Sequence, residues 1–456
     1  MQMLVKAIVK ACNGVLLCGD PETVVTSVET DSRLIESGAL FVPIIGQKTD
    51  AHQYIQQTFD KGAVATLTQE NTSMEDSTHC WIYVEQTQDA LQRIATAYRN
   101  QFQVPVVGVT GSVGKTSTRE MIALALSAEK NVMQTKGNSN SQIGLPLTMF
   151  QFEKEHTAAV IEMGISEFGE MERLVHIAQP NYAVITNIGI AHIEQLKTRE
   201  NIMHEKLKIA DAFDEYSILF LNGDDEMLAS ICETTTLPVV YYGTQPWCTY
   251  RAEDIQTDGM KTTFTVHTPT YTSKVTLPVL GMHNVLNALS AIAVAQTMRL
   301  NLDKVVEKLS EYQPPEMRQT VYHVDDITVI DDSYNASPDS VKSGIDVLCS
   351  LPNQGKKIAV LADMMELGDM SAQAHFDTGV AVGSTLTDVL ITVGPRAVKI
   401  AEGAVSVKPN MTVVMCEDNQ EAIRVLKEIV KKEDAMMIKG SRSMKTDEIV
   451  KALLKN

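Results

Sequence analysis

The stretch VVGVTGSVGKTSTREMI, residues 106–122, joins an apolar, β-branched run to a helix-like segment. The run predicts a buried strand. Gly111 and Gly114 permit backbone angles and close approaches that side chains would block. Lys115 and Thr116 then open a helix, whose free N–H groups and dipole favour an anion. The stretch predicts a nucleotide-phosphate loop, with an ordinary glycine-rich turn as the alternative.

The loop departs from the common spacing of a glycine, four residues and then Gly-Lys-Thr, because Val109 stands five places before Gly114. Lys115 supplies local positive charge, and the Thr116 hydroxyl is a ligand type that suits Mg²⁺. The residues predicted to surround the phosphates of a nucleoside triphosphate are Thr110, Gly111, Ser112, Val113, Gly114, Lys115 and Thr116.

Length and charge narrow the possible functions. A chain of 456 residues suggests about three domains. Its net charge of −18 argues against a nucleic-acid partner, which needs a basic face. The seven scattered cysteines never form C-x-x-C pairs, which suggests reduced thiols in a cytosol. Residues 1–20 predict a short amphipathic helix and no signal peptide, and no apolar stretch is long enough to span a membrane.

The order of strand-like and helix-like segments predicts an α/β protein with three domains. We place their boundaries at residues 1–100, 101–313 and 314–456. Strands alternate with helices from Pro105 onward, which indicates a parallel sheet covered by helices on both faces. A β-rich insert at residues 250–279 interrupts this alternation, and a second α/β unit follows the proline pair near residue 314.

The segment TGSVGKTS, residues 110–117, resembles the shortened T-G-x-N-G-K-T loop of the Mur ligase family. These are ATP-dependent, amide-forming enzymes that also include folylpolyglutamate synthases, and their loop spacing removes the one-residue misfit. The resemblance extends through all three domains, in the segments TDSR (30–33), GNSNSQIGLPL (137–147), IEMG (161–164), ITNIGIAHIE (185–194), GMHNVLNALSA (281–291), DDSYNASPDS (331–340), LADMMELG (361–368) and KGSRSM (439–444).

The resemblance implies a small α/β N-terminal domain that binds a UDP substrate, a central P-loop ATPase domain and a C-terminal Rossmann-like ligase domain. The last four segments favour the member that adds D-alanyl-D-alanine to UDP-N-acetylmuramoyl-tripeptide through an acyl phosphate, with ATP and Mg²⁺. This implies a cytoplasmic enzyme of peptidoglycan precursor synthesis, expected as a monomer. The alternatives are another amino-acid-adding Mur ligase or a folylpolyglutamate synthase. A nucleotide-dependent switch would predict an N-K-x-D motif, which the sequence lacks.

The resemblance assigns catalytic roles to Lys115, His192 and Lys206. Lys115 is expected to contact the β- and γ-phosphates, and His192 to help bind a second Mg²⁺. In the family, the lysine that Lys206 matches is carbamylated. This modification requires a neutral amine and therefore a lysine with a depressed pKa. From the residues alone, His192 could be an ordinary loop histidine and not a ligand. Lys206 would be read as part of a solvated helix face, and Lys208 competes with it for the assigned role.

Metal and nucleotide contacts are predicted at further positions. Thr116 and Glu162 are expected to hold the first Mg²⁺, with a solvated strand end as the alternative reading of Glu162. By the same resemblance, further ATP contacts are expected from Asn284, Asn287, Arg318 and Asp332. The alternative for Asn284 is a helix cap. The alternative for the Asp-Asp-Ser-Tyr-Asn segment, which contains Asp332, is a simple turn.

Substrate contacts are expected at residues in all three domains. Ser32 and Arg33 match residues that cradle a uridine diphosphate, to which a planar guanidinium is suited, and an exposed surface arginine is the alternative. Asn138 and Asn140 are expected to face the sugar or peptide. The remaining predicted substrate residues, beside the nucleotide pocket, are Tyr334 and Asn335.

Three positions depart from the family pattern. Val113 replaces the usual asparagine of the loop. Met317 stands where a glycine normally precedes the arginine, and Ala362 replaces a glycine before Asp-Met. These departures concern the conformations of individual loops.

Overall fold

The computed structural model describes residues 1–46, 48–70, 78–233 and 235–455. Its strands are β1 (Met3–Leu4), β2 (Val15–Cys18), β3 (Val24–Val25), β4 (Ser27–Glu29), β5 (Ala39–Phe41), β6 (Ala65–Thr68), β7 (Cys80–Tyr83), β8 (Val106–Thr110), β9 (Val132–Gln134), β10 (Ala158–Glu162), β11 (Tyr182–Ile185), β12 (Ile218–Asn222), β13 (Val239–Gly243), β14 (Tyr250–Asp258), β15 (Lys261–His267), β16 (Thr272–Leu277), β17 (Thr320–Val324), β18 (Ile327–Asp331), β19 (Lys357–Ala362), β20 (Val389–Val393), β21 (Thr412–Cys416) and β22 (Ala435–Lys439).

Helices connect most of these strands. They are α1 (Val5–Cys12), α2 (Ile55–Asp60), α3 (Thr87–Arg99), α4 (Lys115–Leu126), α5 (Gly144–Met149), α6 (Glu170–Ala178), α7 (Ile193–Leu196), α8 (Arg199–Leu207), α9 (Glu226–Ala229), α10 (Met282–Thr297), α11 (Leu302–Leu309), α12 (Pro338–Ser350), α13 (Ser371–Gly383), α14 (Val398–Val407), α15 (Asn419–Ile429) and α16 (Asp447–Leu453). The predicted α/β class is confirmed.

The N-terminal part of the chain forms a five-stranded sheet in the order β2-β7-β6-β5-β4, beside the short antiparallel pair β1 and β3. The predicted amphipathic helix is α1, which buries Val5 and Ile8 and exposes Lys6 and Lys10. The strand predicted over residues 38–46 ends earlier, at Phe41 in β5. Pro43, two residues after Phe41, has no N–H to donate to a neighbouring strand, which accounts for the shorter element.

The central sheet has nine strands in the order β16-β15-β14-β13-β12-β11-β8-β10-β9. Pairing is parallel from β9 to β14 and antiparallel at β14–β15 and β15–β16. The predicted β-rich insert therefore extends the parallel sheet as an antiparallel edge. Helices α4 and α10 pack on one face through a core that includes Val107, Ile122, Ala288 and Ile292. This packing places the N-termini of both helices beside the end of β8.

The C-terminal sheet has six strands in the order β17-β18-β22-β19-β20-β21. Strands β17 and β18 are antiparallel, and the other pairs are parallel. Helix α12 follows β18, and loops at the carboxyl ends of β18, β19 and β22 face the central sheet's phosphate loop across a cavity. Ligands of open parallel sheets bind outside the carboxyl ends of the strands, which is where this cavity lies. Across the described residues, no helix is long and apolar enough to cross a membrane.

Candidate active site

The predicted phosphate loop connects β8 to α4. Gly114 lies at the N-terminus of α4 with φ 83°, and Gly111 has φ 146°. A Cβ atom on Gly111 would collide with the Thr186 hydroxyl, so this position requires glycine both for its backbone angle and for the space around it. Thr110, at the end of β8, donates its hydroxyl proton to the carbonyl of Met163 at 2.8 Å.

The segment after β11 braces this loop. Ser112 N–H donates to the Asn187 carbonyl at 3.0 Å, and Val113 N–H donates to Asn187 Oδ1 at 2.9 Å. Asn187 Nδ2 donates in return to the Val113 carbonyl at 3.0 Å. Val113 takes part through backbone atoms, so the departure from asparagine leaves these contacts intact. The sequence reasoning did not single out Asn187, although it lies within the segment ITNIGIAHIE.

Lys115 extends into the loop from the first position of α4. Its Nζ donates to the carbonyls of Gly111 at 2.7 Å and Ser112 at 3.3 Å. Burial lowers the pKa of Lys115, the nearby Glu162 carboxylate opposes this shift, and the Arg318 cation adds to it. The loop therefore holds a desolvated lysine within electrostatic reach of a carboxylate and of an arginine from the C-terminal unit.

Glu162 ends β10 with 2% of its surface exposed, so it is not a solvated strand terminus. Its Oε1 accepts a hydrogen bond from Asn140 Nδ2 at 2.6 Å. Its Oε2 accepts one from Arg119 Nη1 at 3.1 Å, and the same nitrogen donates to the Gly137 carbonyl at 3.0 Å. A buried carboxylate needs such partners. Sequence reasoning missed Arg119, which follows Lys115 by four residues and thus lies near it on α4.

The two asparagines of α10 lie beside the phosphate loop. Asn287 Oδ1 accepts a hydrogen bond from Thr118 Oγ1 at 2.8 Å, and Asn284 Nδ2 donates to the Leu280 carbonyl at 2.8 Å. Both side chains are buried and joined by a 3.4 Å contact from Asn287 Nδ2 to Asn284 Oδ1. Their neighbour His283 has its pKa lowered to about 4, chiefly by burial.

The C-terminal unit contributes a buried ion pair. Lys439 Nζ lies 2.7 Å from Asp332 Oδ2 and donates to the Asn335 carbonyl at 3.0 Å. Burial raises the pKa of Asp332, while Lys439 and Arg318 act in the opposite direction. The Arg318 guanidinium lies 4.1 Å from the centre of the Tyr334 ring, a stacking contact that fixes its direction. Lys439 lies in the segment KGSRSM (439–444), but the sequence did not identify its partner.

His192 and Lys206 follow β11 on the other side of the loop. His192 Nδ1 lies 2.6 Å from Oε2 of Glu366, a residue of the C-terminal unit that the sequence reasoning did not select. Lys206 is buried, and both this burial and the positive charge of Lys115 lower its pKa well below the usual value. Lys208, its competitor in the sequence, is partly exposed and pairs with Glu205 at 2.9 Å.

A cavity of about 830 Å³ lies between these elements. The predicted site residues that line it are Ser112, Val113, Gly114, Lys115, Thr116, Asn138, Asn140, Glu162, His192, Asn284, Asn287, Arg318, Asp332, Tyr334 and Asn335. The cavity lining does not include Thr110, Gly111 or Lys206. The structure thus gathers predicted nucleotide, metal and substrate residues from two sheets around one space.

Ser32 and Arg33 lie outside this cavity, in the N-terminal unit. The Arg33 guanidinium is largely exposed and pairs with Asp31, with Nη2 2.6 Å from Oδ2. This pairing lowers the pKa of Asp31 to about 2. The Ser32 carbonyl accepts a hydrogen bond from Lys61 Nζ at 2.8 Å. Their predicted role in binding a diphosphate stays a prediction.

The two remaining departures have physical accounts. Met317 has φ 62°, a left-handed backbone in which glycine is the ordinary residue, so the methionine is held there at a conformational cost. Ala362 ends β19 facing Gly440, where an added Cβ would lie 2.7 Å from the Ala362 Cβ. The glycine at position 440 therefore makes room for the alanine.

Three family models match consecutive parts of the chain: the Mur ligase family catalytic domain at residues 24–104, the Mur ligase middle domain at 109–295 and the Mur ligase glutamate ligase domain at 317–442. The chain belongs to the Mur ligase family. The middle-domain match includes the phosphate loop, Glu162, His192 and both α10 asparagines, and the glutamate-ligase match includes Arg318 and Asp332.

Similar proteins are found among Mur ligases that add D-alanyl-D-alanine. The UDP-N-acetylmuramoyl-tripeptide–D-alanyl-D-alanine ligase of Bacillus subtilis is 36% identical over 95% of this chain and 94% of its own length. The Escherichia coli ligase of the same name is 30% identical over 94% of each chain.

Two solved structures share the whole architecture. MurF from Acinetobacter baumannii superposes with a TM-score of 0.92 at 28% identity, covering 100% of this chain and 99% of its own. MurF from Thermotoga maritima in complex with ADP superposes at 0.84 with 27% identity, covering 94% of this chain and 97% of its own. The predicted three-part Mur ligase fold is therefore confirmed.

Proposed function

We propose that this chain is an ATP-dependent ligase that joins D-alanyl-D-alanine to UDP-N-acetylmuramoyl-tripeptide. The observation that carries the proposal is the shared cavity, in which the phosphate loop and Lys115 face Arg318 and the Asp332–Lys439 pair. The relatives that carry this activity in their names are similar over nearly the whole chain. Such a cavity concentrates positive charge where ATP, a carboxylate and a developing oxyanion would otherwise repel one another.

The reaction proceeds in two chemical steps. The terminal carboxylate of the tripeptide attacks the γ-phosphorus of ATP, which releases ADP and leaves an acyl phosphate. The amine of D-alanyl-D-alanine then attacks the acyl carbon, loses a proton and displaces inorganic phosphate. Lys115 leaves the loop carbonyls to contact the β- and γ-phosphates, and Arg318 reaches the phosphates from the C-terminal unit. The loop amides of residues 111–116 surround the phosphates at the start of α4.

The adenosine of ATP occupies the other half of the cavity. Asn284 and Asn287 border it from α10, and Asp332 is proposed to accept a hydrogen bond from the ribose. Lys439 holds that carboxylate in place at 2.7 Å. The Tyr334 ring stacks on the Arg318 guanidinium, whose central carbon lies 4.1 Å from the ring centre, and so supports the arginine.

The residues around the loop fit magnesium. Thr116 and Glu162 are oxygen donors in one cavity wall, which suits a hard cation that takes one or two carboxylates and completes its shell with substrate phosphates and water. No group of three or more acidic, histidine or cysteine side chains that could hold a metal ion occurs among the described residues. When bound, Mg²⁺ would neutralise charge on the phosphates and on the carboxylate under attack.

Lys206 is proposed to support a second Mg²⁺ together with His192. A carbamate forms when a neutral amine attacks carbon dioxide and releases a proton, so the lowered pKa of Lys206 favours the modification. The product carries a negative charge in place of the ammonium. That charge suits the location of Lys206, which is buried near Lys115.

The UDP substrate is proposed to extend from the N-terminal unit to the cavity. Ser32 and Arg33 bind its diphosphate. To do so, Arg33 gives up its ion pair with Asp31 and pairs with the ligand instead. Asn138 and Asn140 face the sugar or peptide, and Tyr334 and Asn335 border the same space. Asn140 also steadies Glu162, which would couple substrate binding to the metal position.

We further propose that the domains divide at residues 1–100, 101–313 and 314–456, and that the protein is a monomer. These limits enclose the five-, nine- and six-stranded sheets respectively. The substrates are cytoplasmic precursors of peptidoglycan, so the protein is proposed to act in the cytoplasm.

The test is phosphate release and product formation from ATP, UDP-N-acetylmuramoyl-tripeptide and D-alanyl-D-alanine, followed by mass spectrometry of the amide. The expected product is the UDP-muramoyl-pentapeptide, at one phosphate for each bond formed. Parallel reactions offer single amino acids with shorter muramoyl peptides, and folate with glutamate. Amide formation in one of these alone would assign the chain to another branch of the family.

A further inference from the structure

A contact between the central and C-terminal units is not used by the roles assigned above. His192, at the start of α7 in the central unit, has its Nδ1 2.6 Å from Oε2 of Glu366 in the C-terminal unit. Among the described residues, that buried Nδ1 has no partner in hydrogen-bond geometry, and the Glu366 carboxylate is close to it without lying in line with its N–H. Both side chains line the cavity. The nearest acceptor for this imidazole nitrogen is therefore supplied by the opposite lobe.

The backbone brings the same two segments together. The Glu194 N–H points to the Glu366 carbonyl at 3.4 Å, and a Cβ on Gly368 would lie 3.2 Å from the Glu194 Cγ. His192 has φ 63° and Glu366 has φ 62°. Left-handed backbone is unfavourable at a residue other than glycine, and it persists where the surrounding structure imposes it. Both members of the contact are thus held in place by their own segments.

The segment that carries Glu366 is firmly anchored in the C-terminal unit. Asp363 Oδ1 accepts hydrogen bonds from the backbone N–H groups of Arg396 at 3.0 Å and Ala397 at 2.7 Å. Met365 N–H donates to Ser441 Oγ at 2.9 Å. Glu366 therefore moves with the C-terminal unit as a rigid projection and reaches His192 only when that unit lies against the central one.

We propose that Glu366 is a positioning residue that orients the His192 imidazole when the two lobes meet. This inference rests on the proposed function and deepens it. The carboxylate, 2.6 Å from Nδ1, favours a proton on that nitrogen, which leaves the lone pair of Nε2 for a cation in the cavity. The contact makes a complete reaction centre conditional on lobe closure, so that acyl-phosphate formation is slow in the open protein. In this role Glu366 acts through His192 and not through a contact with nucleotide or substrate.

The first measurement is made on the full chain without nucleotide or metal. Side-chain ¹⁵N NMR of His192, assigned by its loss in H192Q, is expected to show the Nδ1-protonated tautomer in the unaltered protein. E366A is expected to give a mixture in which the Nε2-protonated form predominates, as in free imidazole side chains. E366Q keeps an acceptor oxygen and is expected to retain the Nδ1-protonated form.

The second measurement is ligase kinetics on the same variants. Loss of a partner that orients a ligand typically costs 10–100-fold. We expect E366A to lower kcat by about that factor with little change in KM for ATP, and E366Q to recover most of the loss. D369A, which removes an exposed charge from the same segment, is the matched control and is expected to behave as the unaltered protein.

The two hypotheses fail in different ways. An unaltered protein that forms no amide from the three substrates contradicts the proposed function. An active unaltered protein, combined with an E366A variant whose His192 tautomer and kcat are unchanged, overturns the positioning role alone. A rise in KM for ATP with kcat preserved would also overturn it, because it would make Glu366 part of the nucleotide site.

Discussion

Lys439 Nζ lies 2.7 Å from Asp332 Oδ2, with the lysine 3% and the aspartate side chain 10% exposed. The pair joins the end of β22 to the turn after β18 and borders the cavity. Taking either charge out of water alone is costly, and the partner's attraction offsets that cost. The two residues therefore act as one unit in folding as well as in the site.

Removing one member of this pair should lower the free energy of unfolding. K439M leaves Asp332 as a buried, unpaired carboxylate, and we expect a loss of about 3–5 kcal/mol in the free energy of unfolding. Urea denaturation followed by circular dichroism measures it. The control is K432M, whose partner Asp326 lies at a similar 2.9 Å but in an exposed pair, and it should change little. Equal effects of the two variants would contradict the argument.

Lys115 should be essential for turnover and dispensable for folding. Its Nζ bonds to loop carbonyls, so K115A removes a cation from the phosphate site without opening a core cavity. We expect ligase activity to fall by orders of magnitude while the unfolding midpoint stays close to that of the unaltered protein. K154A, at an exposed lysine, is the control. Near-normal phosphate release by K115A would refute the proposed phosphate contact.

Gly111 should tolerate no side chain. In G111A the new methyl group meets the Thr186 hydroxyl, and the alanine must also adopt a φ near 146°. Such backbone strain costs about 1–3 kcal/mol, and the collision adds to it. We expect weaker nucleotide binding by calorimetry and a lower unfolding midpoint. G259A has a positive φ with open space around its Cβ, so its unfolding midpoint shows the effect of backbone strain without a collision. If both variants lower the unfolding midpoint alike, the collision is unimportant.

His283 should make the protein less stable in mild acid. Its folded pKa is about 4 against an ordinary 6.5, so the unfolded chain takes up a proton first as pH falls. The stability that comes from a neutral His283 is complete above 6.5 and is lost between 6.5 and about 4. Urea titrations across this range should show a smaller loss in H283Q, with H176Q as an exposed control. An identical pH dependence in H283Q and the unaltered chain would contradict the low pKa.

The sequence predicts well those features that depend on neighbouring residues. The start of α4 at Lys115 and the pair of asparagines near the start of α10 follow from local patterns. Partners far apart in the chain were not predictable. Glu162 and Arg119 are 43 positions apart, and Lys439 and Asp332 are 107 apart. Their pairing depends on strand order and helix packing, which no short motif specifies.

Contacts between the central and C-terminal units were the hardest to predict from the sequence. The family resemblance pointed to His192, but its contact with Glu366 depends on how two separately folded sheets meet. The burial of individual lysines could not be predicted from the sequence either. Lys206 and Lys208 are indistinguishable in the sequence, yet the structure buries the first and leaves the second partly exposed beside Glu205.

Arg318 stands between Met317 with φ 62° and Gln319 with φ 57°. Left-handed backbone on both sides of this one residue fixes the path of the chain where the central unit leads into the C-terminal one. Neither flanking residue is a glycine, so both adopt this conformation at a cost. The placement of Arg318 in the cavity wall therefore depends on its two neighbours, and glycine at 317 would relieve part of the cost while making the backbone there more flexible.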